Sequence, residues 1–224
     1  LKGLSTTDIG EFTATQIGAL AATQLAALSA ENVSEIDFAD LNVTQVKGLT
    51  TTQLSSLTET ALGNLTSTQL SGLSATQVNA LGSTALSELA DTQLSGLTST
   101  QIGGLSQANL SALTGTQVGD LTTTQIKGLS ATQLKGMSAD DVGELTATQL
   151  SALSATQVGS LSTTALNALD ETKMAAFDAT QLKGLTATQL KAFTTTEIGE
   201  LADTQLQALT ATQIGALSSE NISQ

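Results

Sequence analysis

Apolar side chains recur along this chain at alternating intervals of three and five residues. Leu150 and Leu153, Val158 and Leu161, and Leu166 and Leu169 are successive pairs, and the same alternation runs from Ile9 to Leu217. The unit behind it is eight residues long. Thr146-Ala147-Thr148-Gln149-Leu150-Ser151-Ala152-Leu153 is restated at once by Ser154-Ala155-Thr156-Gln157-Val158-Gly159-Ser160-Leu161. Numbering the octad from one to eight, positions five and eight are aliphatic or Phe. Position one is mostly Ser, Thr or Asp, three is mostly Thr, four is mostly Gln, and six and seven are small or polar. One interruption breaks the phase: Asp37-Phe38-Ala39-Asp40-Leu41 reads as an octad that stops at its fifth position, and the pattern resumes at Asn42.

Spacings of three and five do not suit a strand, in which inward positions recur every second residue. They do not suit one continuous helix either. Eight residues advance about 800°, roughly 80° past two full turns, so an apolar stripe would spiral away from any single face. The chain must therefore be reset once per octad, and the device is legible. Ser or Thr at position one with Gln at position four forms the S/T-x-x-E/Q capping box, as in Ser130 to Gln133, Thr146 to Gln149 and Thr210 to Gln213. Each octad is expected to start its own short helix, with Gly or Ala at positions six and seven letting the chain turn out of it. Isolated helices need about 12–15 residues to be even marginal in water, so these must gain stability from their neighbours. The expected fold is an all-α solenoid of short capped helices, one per octad, with three to four octads per coil. A β-solenoid with three octads per triangular coil is the structural alternative.

Residues 1–224 read as one continuous array with its phase break at 37–41. Because the chain opens and closes within an octad, it reads as a segment of a longer array. The coil length has its own signal. Gln at position four is replaced at Asp8, Asn32, Ala61, Ala85, Asn109, Asp141, Ala165, Glu197 and Asn221, with Lys173 as an extra. The intervals are mostly 24 and sometimes 32 residues, which implies one wall of the coil without Gln. Many acids share those octads, among them Glu11, Glu31, Glu35, Glu59, Glu88, Asp140, Glu144 and Glu200, and would form an acidic stripe if the register holds. The Gln row itself has two readings, a capping partner repeated or a hydrogen-bonded ladder inside the coil. The fixed offset from Ser/Thr favours capping.

Composition narrows the chemistry. There is no Cys, His, Trp, Tyr or Pro, and only four Phe: Phe12, Phe177 and Phe193 at position eight, and Phe38 in the short octad. The thiol and imidazole nucleophiles and the aromatic stacking platforms are missing, so catalytic and cofactor-binding residues are expected to be none and the chain is not read as an enzyme. A net charge of −13 repels polyanions, which argues against nucleic acid. Apolar runs of a few residues fall far short of the roughly 20 that cross a bilayer, so no membrane insertion is expected.

Two surfaces could still bind. The densest acidic clusters, Asp140 and Asp141 with Glu144, and Asp170 with Glu171, are the candidate calcium ligands, because calcium takes clustered oxygen donors. Neither carries a D-x-D-x-D-G loop, and a solvated face is the preferred reading. Runs such as Thr50-Thr51-Thr52 and Thr122-Thr123-Thr124 resemble the ranked threonines of ice-binding proteins, whose arrays lie on flat strands. In style the whole chain, acidic, cysteine-free and rich in Thr and Leu, resembles the short-tandem-repeat regions of large secreted or surface proteins of bacteria. That resemblance implies an extracellular structural protein forming a rod, spacer or filament subunit, self-associating and attached to a cell surface through parts outside this segment. The alternative is a binding module whose repeated Thr or acidic face meets ice, calcium or a surface.

Overall fold

The structure is a computed structural model and describes residues 3–222. Lys2, which the repeat places at position six of an octad, lies outside the described residues. Among these residues there are twenty-seven α-helices of four to six residues and one 3-10 turn, and no strand. The fold is all-α, and the β-solenoid alternative is excluded. The described residues fall into two compact units that divide between Gln117 and Val118.

Most octads fold as the capping box dictates; those that begin at Ala21, Ala90 and Ala202 have no side-chain oxygen to give and keep only the return bond from Gln. Position one is extended, with φ near −70° and ψ near 160°, and its side-chain oxygen accepts the amide of position four; Thr98 (φ −75°, ψ 158°) and Gln101 show this in the first unit, Thr146 (φ −73°, ψ 158°) and Gln149 in the second. The helix closes after one turn, when the amide of position eight donates to the carbonyl of position five, as Leu105 does to Ile102 at 3.2 Å. Positions five and eight then point the same way, into the core. Leu70, Val78, Leu86 and Ile102 are fully buried in the first unit, as are Leu134, Val142, Leu150 and Leu190 in the second. At position eight Phe177 and Phe193 are buried in place of Leu.

Coils hold three octads. In the first unit the helix Val43–Lys47 packs on Ser67–Gly72, which packs on Asp91–Ser95. In the second, Ala139–Gly143 packs on Thr163–Leu166, which packs on Ala187–Ala192. Each step is three octads, or 24 residues.

Two expectations need correction. The first concerns the small residues at positions six and seven. Only Gly82, at φ +86°, uses a left-handed backbone; among the described residues no non-glycine does. The glycines answer instead to stacking. Position seven of one octad lies against position two of the octad three earlier: a Cβ on Gly48 would come within 2.5 Å of Ala22 Cβ, and one on Gly104 equally near Ala75 Cβ. At Gly184 the added carbon would run into the backbone of Ala155 itself. Small side chains there set how closely coils approach.

The second correction concerns the walls. Within the first unit the wall that carries Asp8 and Asn32 continues with Gln53, Gln77 and Gln101, while Ala85 and Asn109 stack on another. Within the second, Asp141 and Ala165 share a wall that continues with Gln189 and Gln213. The octads without Gln therefore step from wall to wall. The acids that accompany them step too, and neither unit has a single acidic face.

Candidate functional site

The best-built polar arrangement in the chain is the carboxamide of the fourth position. Its two ends do different work. In Gln101 the oxygen Oε1 accepts from the Thr98 amide at 2.7 Å and from Thr98 Oγ1 at 3.1 Å. The nitrogen Nε2 donates to the carbonyls of Leu70 and Leu73, both at 2.7 Å. A primary amide has two donors and two acceptor sites, and here all four are used at 2% exposure. Buried polar groups satisfied this fully rigidify a core, and each would be costly to leave open.

Leu70 and Leu73 are positions five and eight of the octad four earlier. The arrangement recurs with the same residue separations of 31 and 28: Gln93 with Leu62 and Leu65, and Gln117 with Leu86 and Leu89, in the first unit. In the second unit Gln149 meets Val118 and Leu121, Gln181 meets Leu150 and Leu153, and Gln213 meets Leu182 and Leu185. Capping and ladder, posed above as rivals, are both present in one side chain. The residue type carries the signal for this second bond. Glu completes a capping box as well as Gln does, yet this acidic chain uses Gln in most octads, and only the amide also donates.

The phase break follows from the same bonds. Gln69 takes the carbonyls of Phe38 and Leu41, again 31 and 28 residues away. Phe38 and Leu41 thus serve as positions five and eight. The short octad keeps its end and has lost residues from its front, contrary to the reading that it stops at position five. Asp37 caps the 3-10 turn Phe38–Asp40 by accepting from the Ala39 amide at 2.9 Å, and Phe38 is fully buried. Gln45 and Gln53, whose coils span the break, reach back only 28 and 25 residues.

Where Gln is absent, substitutes supply part of its work. Asn32 donates to Leu4 O and Asn221 to Phe193 O, both at 2.8 Å, but neither reaches its own first amide. At Asn109 a second residue completes the set: Asn79 Oδ1 accepts both the Ser106 amide at 2.7 Å and Asn109 Nδ2 at 2.8 Å. Lys173 donates its ammonium to Gly143 O. Asp8 and Asp141 act as caps, accepting from Ser5 N at 2.7 Å and Ser138 N at 2.8 Å. Those bonds from Ser5 hold the Asp8 carboxyl below the usual carboxylate range.

The candidate calcium ligands are placed by these bonds. Asp141 caps its helix and Asp170 accepts from the Lys173 amide at 2.9 Å, while Asp140 and Glu171 are exposed first-turn acids. The Lys173 ammonium, bonded to Gly143 O, links the octad of Asp170 and Glu171 to that of Asp140, Asp141 and Glu144. Among the described residues no group of three or more Asp, Glu, His or Cys is arranged to hold a metal. Burial, with the charges of Asp141 and Asp140 behind it, pushes the Glu144 carboxyl up. A surface groove in the second unit, about 810 Å³, is lined by small hydroxyl residues such as Ser162, Thr163 and Thr186 beside one ammonium, Lys135. No helix among the described residues is long and apolar enough to cross a membrane. No family model matches the chain, and no curated protein matches it.

Proposed function

We propose that this chain is a structural repeat protein, a stretch of an extracellular array that serves as a rod, spacer or filament subunit. The observation that carries the reading is the carboxamide tie. Each coil offers the same donors on one side and the same carbonyl acceptors on the other, so like stacks on like without a dedicated partner. What it presents outward is mostly hydroxyl, methyl and carboxylate, which suits a solvated surface in a secreted setting. Self-association would use the same coil-on-coil contact, and attachment to a cell surface would fall to other parts of the protein.

Electron microscopy of the purified chain, with and without calcium, tests this directly. Unbranched rods or fibres of uniform width are expected in both conditions. Compact globular particles would overturn the reading, and fibres that need calcium would move the acids from solvated surface to assembly site.

One observation favours a second reading, a repeated binding face. The position-three threonines, such as Thr52, Thr100, Thr148 and Thr188, are exposed, and among the described residues no group takes their hydroxyls. Thermal hysteresis in a freezing assay would support a Thr face that binds ice, and its absence at millimolar protein would remove that reading.

A further inference from the structure

The corner at Ala61 is built for a carboxamide that the chain does not supply. In the preceding octad Gln53 Oε1 accepts from the Thr50 amide at 2.8 Å, and Nε2 donates to Leu25 O and Leu28 O, each at 2.9 Å. Shifted by one octad, the same three partners are the Thr58 amide and the carbonyls of Val33 and Ile36. Residue 61 is Ala, and its side chain ends at Cβ. Thr58 still caps its helix through Oγ1, which accepts from the Ala61 amide at 3.2 Å. Among the described residues its own N–H and the Ile36 carbonyl have no partner, and Val33 O keeps only its bond from the Ile36 amide.

The Ala61 side chain is itself buried, and an opening lies beside it. A cavity of about 220 Å³ lies at this corner, lined by Ile36, Asp37, Thr58, Ala61 and Asn64 among others. Its rim is fixed: Asn64 Nδ2 donates to Asp37 Oδ1 at 2.9 Å, and that carboxylate also holds the 3-10 turn of the phase break. A guest must offer one acceptor to the Thr58 N–H and a donor to the Ile36 carbonyl, both of which belong to residues lining this cavity. The neighbouring acids, Glu35 and Asp37, disfavour an anion there. A neutral primary carboxamide meets all of these conditions, and it is the group that fills the equivalent place in the octad before.

We propose that the Ala61 corner is a binding notch for a primary carboxamide, presented either by a small free amide or by a Gln or Asn side chain of a partner polypeptide. The shortened octad at 37–41 then has a role, since Asp37 forms one wall of the notch.

The test is a titration of the isotopically labelled full chain, followed at the Thr58 and Ile36 backbone signals. Propionamide, which matches a Gln side chain, is expected to move both saturably; propionate, an acceptor with no donor, is expected to leave them in place. Ala61→Gln fills the notch from within and is expected to abolish the propionamide response while raising Tm. Equal responses to propionamide and propionate, or none to either, would overturn the proposal, and this comparison stands even if the variant fails to fold. The peptides acetyl-Gly-Gln-Gly-N-methylamide and its Glu counterpart separate the sources. Saturable binding of the Gln peptide alone supports a polypeptide partner, and binding of propionamide without either peptide supports a free amide.

Discussion

Gln189 and Glu197 stand at the fourth place of successive octads and differ only in the group at the tip, amide against carboxylate. Both are buried, and both cap: Thr186 N donates to Gln189 Oε1 at 2.7 Å and Thr194 N to Glu197 Oε2 at 2.6 Å. Only Gln189 goes on to bind the coil beneath, donating to Val158 O at 3.1 Å and Leu161 O at 2.8 Å. A carboxylate lacks the amide's N–H donors. Around it the structure makes other arrangements: Asn167 donates upward to Ala192 O at 2.9 Å, while its Oδ1 and Glu200 Oε2 are buried without a partner. Starting a helix and joining it to its neighbour are thus separable functions of one residue, and Gln is used where both are needed.

Exchanging the two tips gives the largest expected effect. Gln189→Glu keeps the cap, removes two donors and sets a buried charge against two carbonyls. A loss of about 3 kcal/mol is expected, read as a lower midpoint in urea denaturation. The loss should shrink in acid, where the introduced carboxyl takes up a proton and recovers a donor. Next is the contact that the tie holds closed. Gly184→Ala puts a methyl into the Ala155 backbone and should cost about 1–3 kcal/mol although it removes no hydrogen-bonding group. If it costs nothing, coil spacing is set by the ties alone.

The reverse exchange is smaller and of opposite sign. Glu197→Gln should stabilise by about 1 kcal/mol by supplying the missing donor, seen as a rise in Tm at neutral pH. The smallest effect is at an exposed acid. Because the Glu144 pKa is raised on folding, the folded state holds its proton to higher pH than the unfolded state does, and stability falls as pH rises through that interval. Glu144→Gln removes this fall. The variant should be slightly more stable than the parent at pH 7, by under about 0.5 kcal/mol given solvent screening, and indistinguishable from it at acid pH. A gain that persists in acid would assign the effect to packing.

Local matters were legible in the sequence because they are settled within one octad. The box from Ser130 to Gln133, the buried pair Leu134 and Met137, and the end of each helix after one turn all follow from residues fewer than eight apart. What the sequence hid lies between coils. Octads stack three apart, yet Gln101 ties to the octad four earlier, so intervals of 24 and 32 residues both have structural meaning and their mixture reads as one irregular wall. Gly48, at position seven, shows the same division. Its constraint comes from Ala22, in another coil, and a local rule assigns it to a turn. At the Ala61 corner the sequence records only a missing Gln; the groups left without a partner belong to Ile36 and Thr58, 22 residues apart.

The shortened octad shows how such a gene can change length. Every tie in the array is addressed to the second half of an octad, and Phe38 and Leu41 kept that half when the first was cut. Copying errors that drop three codons from the front of a unit therefore leave the reading of the stack intact. A protein whose register is counted from the end of each word can absorb such errors, and it need not grow or shrink in whole multiples of eight.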